Sequence, residues 1–138
     1  MDSAHLRDKE QEKILSLRCV DACKTFGLEN TPEYVDSLIA LGDYYRLHKG
    51  LAKAINYYKE SIDLYRDHAE LHINPKVRQD LGLCYFASEN WAKAEESFKG
   101  YLQENPAGGK AVVNYLIVAL MKQHKESEAT RLKSQYSI

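Results

Sequence analysis

Proline and glycine are scarce, at three and seven of 138 residues. So few breakers leave long uninterrupted segments, which argues against many short strands joined by tight turns and favours helices. Cysteine is scarce too, with three residues. That odd number occurs behind a charged start, Met1-Asp-Ser-Ala-His-Leu-Arg-Asp-Lys-Glu10, that lacks the apolar stretch of a signal peptide. Reduced thiols are expected rather than a disulfide framework, with a cytoplasmic location and a nuclear one kept open. No apolar run approaches the ~18 residues a bilayer span needs, so membrane insertion is not expected. The net charge of -1 offers no basic excess of the kind that general nucleic-acid binding draws on, and no nucleic-acid partner is expected.

Catalytic signatures are missing as well. There is no glycine-rich phosphate loop, no G-x-S-x-G elbow, and no Cys or Ser nucleophile with an identifiable base. Glu95 and Glu96 fall on a charge-rich helix and are expected to be solvated. Cys19 and Cys23 lie one helical turn apart, and His68 and His72 have similar spacing, but neither pair finds further ligands at a regular interval. The expectation is no catalytic residue, no metal and no cofactor.

What is present is helical periodicity. Residues 7 to 13 are all polar, after which Leu15, Cys19, Ala22 and Phe26 form one apolar stripe that Gly27 ends. A first helix over about residues 4 to 26 is expected. Its polar half is either a solvated helix start or a charged arm that docks on a partner. Thr31-Pro32-Glu33 then combines a capping hydroxyl, a proline at the first helical position and an acid placed for the helix dipole. Within the new helix come Leu38, Leu41, Gly42 and Tyr45, with Gly50 at the turn and Ala54 and Tyr58 beyond it.

The same order returns after Asn74-Pro75 as Leu81, Gly82 and Tyr85, then Ala94, Phe98 and Pro106. Gly82 and Ala94 would let two antiparallel helices approach closely while Leu81, Tyr85 and Phe98 fill the space beside them. Asn90 is expected to end the first helix in the left-handed conformation. From Gly42 to Gly82 is 40 residues, an interval that an extended helix or a loop between His68 and Asn74 would supply. A third copy, Leu116, Ile117, Leu120 and Ala129, is degenerate. Ile117 replaces the glycine and Lys133 the aromatic, so this pair should pack less closely or at a different angle.

This spacing resembles the tetratricopeptide repeat, a helix pair of about 34 residues with the pattern W-x2-L-G-x2-Y, A-x3-F and a late Pro. The resemblance covers about residues 34 to 136 and divides the chain into a leading helix (1–30), two clear repeats (31–73 and 74–106) and a degenerate third (107–138). It implies an all-α, right-handed stack of antiparallel helix pairs, about seven helices in one domain, acting as a non-catalytic scaffold for protein–protein interaction. The partner would be a peptide or helix held in the concave groove within a multiprotein assembly.

By register that groove would be built from Ile39, Asp43 and Arg46, from Lys76, Gln79, Leu83 and Phe86, and from Asn114, Val118, Met121 and Lys122. Leu83, Phe86, Val118 and Met121 make the apolar patch, and residues 112–121 are apolar all round, a pattern that wants cover on both sides. Binding of an Hsp70 or Hsp90 tail carboxylate is disfavoured. The matching positions hold Ile39, Asp43, Asp80, Ala111 and Tyr115, whose two acids repel such a group. Two alternatives remain open, a subunit that forms a homo-oligomer through its apolar C-terminal repeat and a small chaperone for an unfolded client. The ten tyrosines are expected mainly between helices.

Overall fold

The computed structural model describes residues 3–138, so Met1 and Asp2 of the charged start lie outside the described residues. Among the described residues the chain is all-helical, with seven α-helices, one 3-10 turn and no strand. It divides into two compact units, Met1–Ile73 and Asn74–Ile138. The division falls at the Asn74-Pro75 start signal.

In the first unit α1 (Ser3–Phe26), α2 (Pro32–Leu47) and α3 (Leu51–Asp67) are consecutive neighbours. The Thr31 side chain accepts a hydrogen bond from the Tyr34 N–H at 3.3 Å and Pro32 occupies the first turn, so α2 begins where the start signal stands. Its buried face, Tyr34, Leu38 and Leu41, meets Val20 and Cys23 of α1, with half-buried Leu17 and Cys19 beside them. This corrects the stripe read for α1, since Leu15 and Phe26 are 62% and 75% exposed. Leu17, Val20 and Cys23, spaced by three, lie about 130° round the helix from that stripe, and α2 covers that side. The polar half of α1 is also engaged. Glu10 pairs with Lys13 at 2.8 Å and accepts the Tyr44 hydroxyl at 2.7 Å.

The centre of this unit is the crossing of Gly42 and Tyr58. The fully buried Tyr58 ring lies so close to Gly42 that a Cβ there would stand 2.5 Å from its Cε1. Its hydroxyl donates to Asp43 and accepts from Arg46 Nε at 3.1 Å. Burial, helped by the Asp43 carboxylate, pushes this phenol far above its ordinary range, so it stays protonated at any physiological pH. Tyr58→Phe is expected to cost about 1 kcal/mol in chemical denaturation. Asp43 and Arg46 remain partly solvated and can still pair with each other, so little more is lost. Beyond Asp67 the extra length of this segment is taken up by the 3-10 turn Ala69–Leu71, which buries Leu71, and by the short connection to Asn74.

The second unit holds α4 (Lys76–Ala87), α5 (Trp91–Glu104), α6 (Lys110–Lys122) and α7 (Glu126–Gln135). Here Gly82 lies under the buried Phe98 ring, where a Cβ would be 2.6 Å from Cε1. Both glycines are therefore required by an aromatic ring sixteen residues on, and Ala54 and Ala94 are buried nearby in sequence on the same helices. The third pair has no such contact. α7 buries only Ala129, and Lys133 is exposed.

The turns repeat as closely as the crossings. Gly50, Asn90 and Lys125 each donate their N–H to a carbonyl five residues back, on Tyr45, Tyr85 and Leu120, at 2.7 to 2.9 Å. The preceding residue, Lys49, Glu89 or His124, takes the left-handed conformation with φ near 60°. This is the Schellman ending of a helix, formed at all three turns without glycine at its left-handed position. It corrects the role read for Asn90. That residue has φ -91° and caps the next helix, its side chain accepting from the Lys93 N–H at 3.4 Å.

Candidate interaction surface

On α6 the apolar run splits cleanly by face. Val112, Val113, Leu116, Ile117, Ala119 and Leu120 are buried, while Asn114, Tyr115, Val118, Met121 and Lys122 all point to solvent. At 100° per residue these five fall within one sector. Three of them are apolar or aromatic, Tyr115, Val118 and Met121, at 40%, 39% and 47% exposure. One helix thus supplies both a core face and an apolar outer face.

A neighbouring helix extends that outer face. Lys76 is exposed, and Gln79, Leu83 and Phe86 are half-buried. They share one side of α4 by register. The Phe86 ring meets Tyr115 edge-on at 5.0 Å and Trp91 at 5.1 Å, and the Lys122 ammonium lies 5.7 Å from the Trp91 ring. Tyr115 in turn stacks on the buried Phe98 at 6.0 Å, which ties the surface to the core. The eight residues read from register in this unit therefore lie on α4 and α6, joined through Phe86 and Tyr115. Trp91 and Tyr115 were missed as members of the patch. Their signal was available, since Trp91 is the sole tryptophan and Tyr115 sits one turn before Val118.

Ile39, Asp43 and Arg46 belong to the first unit. Ile39 is half-buried, and Asp43 and Arg46 hold the Tyr58 hydroxyl, so their polar groups already serve the interior of that unit. Glu95 departs from expectation in the opposite sense. It is buried rather than solvated, and its carboxylate accepts from Lys99 at 2.6 Å and from Gln123 and Lys125 at 2.9 Å each. Burial alone would raise this acid, but the Lys99, Lys125 and Gln123 hydrogen bonds outweigh it and hold it down at about 2. Glu96 is exposed and pairs with Lys93 at 3.7 Å.

Among the described residues no three His, Cys, Asp or Glu side chains are grouped to hold a metal ion. No described helix is long and apolar enough to cross a membrane. No disulfide joins the three cysteines, and Cys23 and Cys84 are buried. No protein-family model matches the chain, and no curated protein is significantly similar to it.

Proposed function

We propose that the chain is a tetratricopeptide-type array of helix pairs, a non-catalytic module that docks a peptide or helix of a protein partner on the α4–α6 face. The observation that carries this reading is the solvent-facing row Tyr115, Val118 and Met121 beside Phe86 and Trp91. Contiguous exposed apolar surface of this sort marks interaction sites in soluble proteins, and aromatic residues dominate such contacts. The repeated glycine–aromatic crossings and the repeated turns support the family assignment.

Val118→Glu and Met121→Glu test the reading. Each places a charge on an exposed position, so stability should change by no more than about 0.5 kcal/mol. Capture of the partner should be lost in both, with helical content by circular dichroism unchanged. A second reading is self-association, favoured by the uncovered stripe Leu15, Ala22 and Phe26 on α1. Light scattering over a concentration range separates the two. A dimer dissociated by Phe26→Glu but not by Met121→Glu would assign self-association to α1 and leave α6 to the partner.

A further inference from the structure

The exposed charges on the two helices that build this face are of one sign. α6 contains no carboxylate at all, and the only acid on α4, Asp80, is buried. The exposed cations are Lys76 at the start of α4 and Lys110 and Lys122 at the two ends of α6. Arg78, the other cation on these helices, is turned to Glu104 at 3.4 Å. Among the described residues no ion pair is formed by Lys76, Lys110 or Lys122. Three unneutralised ammonium groups therefore flank an apolar strip in a chain whose net charge is -1.

The geometry of that strip selects among partner chemistries. Lys110 and Lys122 stand twelve residues apart on one helix, which is about 18 Å at the rise of an α-helix. Tyr115, Val118 and Met121 occupy the interval at steps of three. Leu83 and Phe86 form a parallel apolar row on α4. A third helix laid along two such rows would bury an i, i+3, i+4, i+7 face, as in helix-in-groove recognition.

Resting on the docking role assigned above, we propose that the α4–α6 face selects an acidic amphipathic helix of a partner protein. The middle of that helix carries leucine- or phenylalanine-type anchors at this spacing, and its two ends carry Asp or Glu. The anchors seat against Phe86, Tyr115, Val118 and Met121. The flanking carboxylates meet Lys110 and Lys122, with Lys76 adding to the field on the α4 side. The charges set selectivity and association rate, while the apolar contacts hold the complex. No terminal carboxylate is involved, and the acids that disfavour one, Asp43 and Asp80, are held at the Tyr58 hydroxyl and in the core.

Three synthetic helices test this on the full chain. They share one pattern of leucines at i, i+3, i+4 and i+7 and differ only in flanking residues, which are all Glu, all Gln or all Lys. Trp91, the sole tryptophan, reports binding through its fluorescence because it lies between Phe86 and Lys122. The Glu helix should bind about tenfold more tightly than the Gln helix at low salt, as expected for a few rim-exposed ion pairs. The two should converge as salt is raised, and the Lys helix should bind least. The double variant Lys110→Glu/Lys122→Glu, checked for unchanged circular dichroism, should reverse the order. Equal affinity for the Glu and Gln helices overturns the charge selection while leaving the docking role intact. Failure of all three on a monomeric protein overturns the docking role and this inference with it. A dimer that Met121→Glu dissociates names a second copy as the occupant and likewise overturns the proposal.

Discussion

Phe98→Ala is expected to destabilise the unit Asn74–Ile138 by about 4 kcal/mol, the usual order for deleting a fully buried aromatic ring. Two contacts are lost together. The ring covers Gly82 and also stacks on Tyr115 at 6.0 Å. The reciprocal change is more diagnostic. Gly82→Ala would ordinarily favour an exposed helix by up to about 1 kcal/mol, because alanine is the better helix former. Here the new methyl carbon would stand 2.6 Å from Phe98 Cε1, on a ring that is itself fully buried. Overpacking of this kind costs about 1 to 3 kcal/mol, so the net sign should be destabilising.

A double-mutant cycle isolates the contact. With Phe98→Leu in the background, Gly82→Ala should lose most of its penalty or become stabilising, a coupling of about 1 to 2 kcal/mol in urea unfolding. If Gly82→Ala raised the stability of the parent protein, the ring-on-glycine account of the crossing would be wrong. The Gly42 and Tyr58 pair should behave alike, since a Cβ on Gly42 would stand 2.5 Å from the Tyr58 ring. Similar couplings in both units would mean that one crossing rule operates twice.

These crossings were legible in the sequence because they depend on residue size at a fixed spacing. Gly42 and Gly82 each precede their aromatic by sixteen residues, and Thr31-Pro32 and Asn74-Pro75 each announce a helix. Features that depend on which neighbour arrives were not legible in the same way. α1 carries two apolar rows, and only the position of α2 decides that Leu17, Val20 and Cys23 are covered while Leu15 and Phe26 are not. The left-handed residue of each intra-pair turn escaped because Lys49 and Glu89, unlike His124, are not of the types enriched in that conformation. There the 6→1 hydrogen bond and the packing of the two helices override the local preference. On the surface, register placed Asn114, Val118, Met121 and Lys122 on one face of α6. Tyr115 lies at the edge of the same sector, and its contacts with Phe86 and Phe98 required the structure.

Glu95 shows most clearly why charge cannot be assigned to solvent from composition. It is followed in sequence by the polar pair Glu96 and Ser97, yet its partners come from two places, Lys99 on its own helix and Gln123 and Lys125 from the α6–α7 turn. Lys99 reaches on to Glu128 of α7 at 2.6 Å, so a single buried carboxylate organises the contact of α5 with the last two helices. Glu95→Gln keeps the shape and removes the charge. It is expected to cost about 2 kcal/mol at pH 7, because the lysines lose their counter-charge and one amide N–H₂ group faces donors.

The pH dependence separates this effect from packing. The folded acid lies at about 2 against an ordinary 4.5, so the unfolded chain takes up the proton first as pH falls. The stabilisation is therefore complete above about pH 4.5 and is lost progressively as pH drops towards about 2. Urea midpoints of the parent and Glu95→Gln proteins should differ at pH 7 and pH 5 and approach each other near pH 2.5. A gap that stayed constant over that range would assign the loss to shape rather than charge. The outcome also bears on the surface, because Gln123 and Lys125 directly follow Met121 and Lys122 in sequence. Releasing that turn should loosen the C-terminal end of α6, so Glu95→Gln should weaken binding of an acidic helix at pH 7 while leaving every exposed contact residue in place.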